Sequence, residues 1–316
     1  AALGVLGRSP GKTSSWRFGE ADREAAAEVL TGLLPSGTRS NLMDRKVILV
    51  TGCASGIGRS LAKRLYEAGH TLTLTDVNED GLRRAAKADG LSDESRVTLR
   101  ALDVCDPEAW RAAIRDVVER SGRIDTLVNV AGILVPVWAH EASDDDVHRT
   151  IDINTKGLIF GTNAALRPMI AQKQGHVVNV ASLGGVVPVP GLALYSASKH
   201  AARAYSIAVG QEVRKHNVFV TAVCPGLVAT PMMDIQIDRE EAAFSFSSRR
   251  PLTVDEVTAA IVDRAMVKRP LELLVDVPGS LQGIVAKLGN AFPALAMRLG
   301  DRVARVGSAN QSRTRR

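Results

Sequence analysis

Tyr195 and Lys199 stand four residues apart in the stretch "YSASK". On a helix, two such positions share a face, with Cβ atoms about 5–6 Å apart, so a phenol and an ammonium can reach the same point. A phenol with a pKa near 10 is a poor base at neutral pH. A cation about 4 Å away favours phenolate by about 4 kcal/mol at an effective dielectric near 20. That is a drop of roughly three pKa units, before desolvation takes some of it back. A tyrosine so placed would titrate close to neutrality, where a general acid–base works best. By spacing alone, the same residues also fit an amphipathic helix with one aromatic and one solvated lysine.

The elements that would have to position this pair are legible along the chain. Short apolar runs rich in β-branched residues recur at "KVILV" (46–50), "LTLTD" (72–76), "RVTLRALDV" (96–104), "DTLVNVAG" (125–132), "GHVVNVAS" (175–182), "NVFVTAVCPG" (217–226) and "LELLVDV" (271–277). Helical patterns such as "RSLAKRLYEAG" and "PEAWRAAIRDVVERSG" lie between them. Continuous apolar strands alternating with helices predict a parallel sheet covered on both faces. The fold class is therefore α/β, a single doubly wound domain over residues 43–278, with its ligand crevice at the strand C-termini. Residues 1–42 read as a partly flexible extension, with Met43 a candidate start of the folded domain. Residues 279–316 read as an amphipathic helical extension with a basic end.

Composition narrows the function. Of the net charge of +6, about five units fall after residue 297, where six arginines face Asp301 alone. The body is near neutral, which argues against a nucleic-acid-binding face. Cys53, Cys105 and Cys224 and the six histidines make no metal-ligand spacing, so no metal is expected. The thiols fit a reducing compartment, and with no run of eighteen apolar residues the expected location is cytoplasmic. No "GxSxG" elbow falls within residues 43–278, so a Ser–His–Asp hydrolase is unsupported.

"VTGCASGIG" follows the first expected strand and opens a helix. Gly52, Gly56 and Gly58 would allow a tight turn, close approach of backbone to a pyrophosphate, and helix–strand packing. The anion would rest on the free N–H groups of the helix. Asp76, 24 residues after Gly52 at the end of the second strand, suits the adenosine ribose hydroxyls and repels a 2′-phosphate. The next residues are Val77 and Asn78, with no arginine to receive that phosphate, so NAD is expected over NADP. The three glycines would equally serve a structural strand-to-helix turn, and Asp76 could instead cap the next helix.

With "YSASK" downstream of "TGCASGIG", the chain resembles the short-chain dehydrogenase/reductase family over about residues 44–278. Asp103 and Val104 match the pair that contacts adenine. "NVAG" (129–132) matches the family's NNAG, with Val130 in place of the second asparagine. "INTKG" supplies Asn154, "NVASLGG" supplies Ser182 thirteen residues before Tyr195, and "PGLVAT" (225–230) matches the segment beside the nicotinamide. The resemblance implies a Rossmann fold with a mostly seven-stranded sheet. It implies a catalytic tetrad of Asn154, Ser182, Tyr195 and Lys199. Tyr195 would exchange the proton, and Lys199 would lower its pKa and bind the nicotinamide ribose. Ser182 would bond the substrate oxygen, and Asn154 would hold a water of a proton relay. It places the cofactor on Gly52, Ser55, Gly56, Ile57, Gly58, Asp76, Asp103, Val104, Asn129, Ala131, Gly132, Tyr195, Lys199, Pro225, Gly226, Val228 and Thr230. Asn129 is read as supporting the sheet beside the cofactor rather than doing chemistry.

In that family the substrate rests under a loop that here spans about residues 227–252, with Met232, Met233, Ile235, Ile237, Phe244 and Phe246. Together with "ILVPVW" and "VVPVPGLAL" these predict an apolar pocket for a lipophilic secondary alcohol or ketone. The competing enzyme reading is an NADPH-dependent carbonyl or ketoacyl reductase, and a non-catalytic nucleotide-sensing module is a third. A homodimer or homotetramer is expected through the Asn154 and Tyr195 helices, where Ala197, Ala201, Ala202 and Ala204 permit close approach. In the tail, Leu281, Ile284, Val285 and Leu288 form an apolar stripe, and Leu295, Leu299, Val303 and Val306 continue one that Arg298, Arg302 and Arg305 flank. The first tail helix is expected to cover the pocket and the arginine end to stay exposed and mobile, with reversible membrane contact the alternative.

Overall fold

The computed structural model describes residues 45–277 and 305–315. Seven strands form one sheet: β1 Val47–Thr51, β2 Thr71–Asp76, β3 Val97–Ala101, β4 Thr126–Asn129, β5 Gly175–Val180, β6 Val218–Pro225 and β7 Glu272–Val275. Their order is β3-β2-β1-β4-β5-β6-β7, and every pairing is parallel. Period-2 alternation sends Ile48 and Val50 to one face and Val47 and Leu49 to the other. On the first face they meet helices α1 (Gly56–Glu67) and α2 (Glu79–Ala88). On the second they meet α3 (Pro107–Ser121) and, farther along the chain, α5 (Leu158–Gln172) and α6 (Ala193–Val213). Both faces being covered, the strands read as continuous apolar runs.

Local chemistry sets the helix ends. Asp106 caps α3 by accepting from the N–H groups of Glu108 and Ala109, Pro107 starts it, and Gly122 ends it at φ +71°. Asn78, not Asp76, caps α2, accepting from Gly81 N–H at 2.9 Å. The third strand is shorter than its apolar run because Asp103 turns the chain, accepting from Cys105 N–H, so Asp103 and Val104 lie beyond the strand. Helix α4 (Asp144–Ile151) opens with a Ser143–Asp146 capping box and passes through a π-helical turn, Asp152–Gly157, into α5. Asn154 lies in that turn, a distortion common at functional sites. Beyond β6 come α7 (Pro231–Ile237), a 3-10 segment Glu240–Ser247, and α8 (Val254–Ala259), which joins the first face.

The expectations for residues 1–42, for the first tail helix and for Leu295 to Val303 lie outside the described residues. The tail that is described, a helix over 305–314, docks on the α7 and 3-10 segments, and by a different face than expected. Val306 is 43% exposed, whereas Gly307 and Gln311 are buried. Gly307 has no room for a side chain against the Ala243 carbonyl. Asn310 donates to the carbonyls of Phe246 and Ser248, and Gln311 to those of Gln236 and Arg239. Arg315 is exposed but donates to Ile237 O at 2.8 Å. Phe246 O and Ser248 O stand at the end of the 3-10 segment, where carbonyls lack helical partners, and the Gln311 amide adds a second donor to Gln236 O and Arg239 O beside the backbone N–H groups of Arg239 and Ala242. No described helix is long and apolar enough to cross a membrane.

Candidate active site

Between β1 and β4 the crossover direction reverses, so the connections from these neighbouring strands leave to opposite faces and open a crevice at their C-terminal ends. Gly52 makes the turn out of β1 at φ +72°, with Ala131 N 3.0 Å from where a Cβ would lie. Gly58 packs so closely that a Cβ would collide with the Gly52 carbonyl. Gly52, Ser55, Gly56, Ile57, Gly58, Asp76, Asp103, Val104, Ala131, Gly132 and Thr230 all line this crevice, a cavity of about 460 Å³.

Asn129 does not line it. Its side chain points into the sheet–helix core, donating to Asn179 Oδ1 at 2.8 Å and Thr162 Oγ1 at 3.3 Å. Period 2 explains the correction: crevice residues follow β4, while the last strand residue faces α5.

The crevice suits a dinucleotide on three observations. The first turn of α1 carries no acidic residue, and Ser55 at its N-cap makes no side-chain capping bond, so its N–H groups can meet an anion. Asp76 lies beside the glycine loop, one carboxylate oxygen accepting from Ala54 N–H and the other from Asn78 N–H, both at 2.9 Å. Gly132 leaves a gap in which a Cβ would come within 3.0 Å of Asn154 Oδ1 and 3.3 Å of Lys199 Nζ.

Ile57, Val130, Gly132, Thr230 and Met232 also border a second cavity, which holds Ser182, Tyr195, Lys199, Pro225, Gly226 and Val228. The two cavities thus meet beside Lys199. Its Nζ is buried, donates to Val180 O at 3.0 Å and lies 5.8 Å from the centre of the Tyr195 ring. Burial lowers the Lys199 pKa to about 8. Burial raises the Tyr195 phenol, and a hydrogen bond with Ser182 opposes the rise. The large depression expected from spacing is therefore not the dominant effect on Tyr195, because both groups are desolvated and the ammonium is bonded to a carbonyl.

Ser182 Oγ accepts from Gly184 N–H at 3.0 Å and donates to Pro225 O at 3.5 Å. Asn154 differs from expectation in detail. Its Nδ2 donates to Ile133 O and Ser198 Oγ, and its Oδ1 accepts from Ile133 N–H at 2.8 Å. Both of its side-chain N–H groups are used, so the side chain braces the Gly132–Ile133 loop instead of holding a water through them.

Of the apolar residues expected over the substrate, Met232 and Met233 line the cavity. Phe244 packs behind it with Tyr195, Leu134, Val189 and Leu192. Ile235 is half exposed, and Ile237 and Phe246 do not border the cavity. Sequence reasoning missed Thr51, whose hydroxyl accepts from Val130 N–H and Ala131 N–H, both at 3.0 Å. It also missed Gln236, a buried wall residue. A threonine ending a strand and a glutamine among methionines carry no local signal of such roles.

Comparison with known proteins agrees with this geometry. The short chain dehydrogenase family model matches residues 46–241. The chain is 34% identical over 239 residues to cyclopentanol dehydrogenase of Comamonas sp. (strain NCIMB 9872), covering 73% of this chain and 95% of that protein. It is 34% identical over 227 residues to acetoacetyl-CoA reductase of Acinetobacter sp. (strain RA3849), covering 70% and 90%. The solved structure of ElxO with NADP bound superposes with a TM-score of 0.66 at 26% identity, covering 74% of this chain and 98% of that one.

The lowered Lys199 pKa carries a stability prediction. A folded pKa of about 8, below the ordinary 10.5, means the folded state disfavours the charged lysine. The penalty is present in full below pH 8, on the order of 3 kcal/mol, and fades between pH 8 and 10.5. The melting temperature of Lys199→Met minus that of the wild type should therefore be most positive near pH 7 and fall as pH rises to 10. Thermal denaturation at several pH values checks this, and a flat difference would refute it.

Proposed function

The chain belongs to the short chain dehydrogenase family, and on that premise we propose that it transfers a hydride between a nicotinamide cofactor and a lipophilic secondary alcohol or ketone, with Tyr195 as general acid–base. The observation that carries this reading is the convergence of Ser182, Tyr195 and Lys199 in one buried cavity that opens into the glycine-loop crevice. The bound cofactor supplies or accepts the hydride at the substrate carbon.

The chain's own residues then handle the proton. In the direction of reduction, Tyr195 gives its hydroxyl proton to the carbonyl oxygen, and Ser182 donates a hydrogen bond to that oxygen as negative charge gathers on it. The buried Lys199 ammonium stabilises the resulting phenolate, and proton return to Tyr195 passes on the Lys199 side, where the two cavities meet. Asn154 acts by holding Gly132 and Ile133, and so the width of that junction. The apolar wall of Leu134, Val189, Leu192 and Met232 supports a lipophilic substrate.

Asp76 supports NAD as the cofactor. Its carboxylate lies in the crevice with backbone N–H partners, and neighbouring Val77 is apolar and 72% exposed. NADP, bound in ElxO, is the competing reading. A homo-oligomer belongs to the same proposal: Ala197 and Ala204 of α6 are exposed, although Ala202 faces the core. A monomer in light scattering at micromolar concentration would remove that part.

Tyr195→Phe should lose at least about 99% of turnover while cofactor affinity stays near normal, because only proton transfer is lost. An alcohol and ketone panel followed by nicotinamide absorbance measures this, and a wild-type-like kcat would overturn the mechanism. Asp76→Ala should shift the ratio of kcat/KM for NAD over NADP by about tenfold or more towards NADP, as a ribose contact and a repulsive charge go together. An unmoved ratio would show that cofactor choice rests elsewhere.

A further inference from the structure

Of the polar side chains lining the cavity around Tyr195 that the proposed chemistry leaves unused, Thr230, Gln236 and Ser245, Gln236 has a buried atom without a partner. Gln236, in the last turn of α7, is 3% exposed and lines this cavity together with Ser182 and Tyr195. Its Nε2 donates to Met232 O at 2.9 Å, one helical turn earlier. A carbonyl can only accept, so this bond settles which end of the amide is which. The other end, Oε1, is buried and accepts no hydrogen bond from any described residue. A buried acceptor without a donor costs about 1–3 kcal/mol. Methionine at this position, as at Met232 and Met233, would avoid that cost while filling similar space.

The amide is also held where it is. The tail helix donates from Gln311 Nε2 to Gln236 O at 2.9 Å, and to Arg239 O at 2.7 Å. The backbone at Gln236 is thus clamped from outside while its side chain is tied to Met232 inside. An acceptor fixed in advance against an apolar wall is the arrangement by which a pocket reads a single polar group on a ligand.

We propose that Gln236 is a specificity-determining residue, its Oε1 accepting a hydrogen bond from a hydroxyl or N–H group on the substrate, at an atom other than the one that exchanges the hydride. The substrate class is then a largely apolar secondary alcohol or ketone that carries a second hydrogen-bond donor. A site built to bond such a group discriminates strongly against the analogue lacking it, whereas an apolar wall discriminates weakly. This inference rests on the carbonyl-reduction reading above.

The test is steady-state kinetics of the full chain on cyclohexanone and on its 2-, 3- and 4-hydroxy derivatives, with both cofactors. The wild type should prefer at least one hydroxy isomer over the parent by about tenfold or more in kcat/KM, the value of one buried hydrogen bond. Gln236→Met should bring that ratio close to one, with folding checked by circular dichroism. Gln236→Asn, which withdraws the amide by one methylene, should reduce the same ratio and stands in if the methionine variant does not fold. Reduction of the parent without preference for any hydroxy isomer would overturn the inference and leave the reaction class intact. A ratio unchanged in Gln236→Met, both substrates falling together, would also overturn it, showing a packing role alone. Reduction of none of the four ketones by the wild type would overturn the reaction reading itself, and this inference with it.

Discussion

The site depends on the place where β1 and β4 part. Up to Val128 the two strands run side by side, and then their chains leave to opposite faces of the sheet. The N–H groups of Val130 and Ala131, just past the ladder, have lost their strand partner. Thr51, 1% exposed at the end of β1, accepts from both with one hydroxyl. Without that acceptor, two donors would be left unpaired near the core. With it, Gly132 and Ile133 are delivered to Asn154, whose amide bonds Ile133 through both its N–H and its carbonyl. One hydroxyl thus sets the path of the wall shared by both cavities.

Helix α6 is held against that wall by small hydroxyls rather than by apolar bulk. Ser196 accepts from Val189 N–H, Ser198 bonds Asn154 and the Tyr195 carbonyl, and Ser206 accepts from Asn179. Asn179 continues to Thr162 and Asn129, forming a buried polar ladder from β4 across β5 to α6. Asn129 Oδ1 finds no partner among the described residues, but the other bonds of the ladder hold it rigid, since each lost bond would leave a desolvated group. The rigidity lets Lys199 remain buried with a single carbonyl partner, a placement that works against the stability of the free chain.

The outer wall is assembled differently. Segments 231–248 pack few large side chains into the body, and their carbonyls are bonded by amides of the tail helix. The tail acts as a brace on the substrate cover, working through hydrogen bonds to main chain. Such bonds depend little on the side chains of the cover, so pocket-lining residues can differ while the brace persists.

By itself the sequence determined the α/β class, all seven strands, the glycine turn and the Tyr195–Lys199 pair. These are carried by local spacing: period 2 in strands, one helical turn between two side chains, glycine where φ is positive. Asp76 was placed in the crevice for the same reason, being the last residue of a recognisable strand. The tertiary structure alone decided that Asn129 faces the core, that Thr51 ties β4 to β1, and that Asn154 braces a loop. It also decided that the described tail docks by Asn310 and Gln311 instead of by Val306. Each of these is a hydrogen bond between segments tens of residues apart, and a residue's type does not say which distant donor or acceptor will reach it. The same holds for the balance at Tyr195. Spacing supplied the attraction of a nearby cation, but burial, a property of the whole fold, supplied the larger opposing effect.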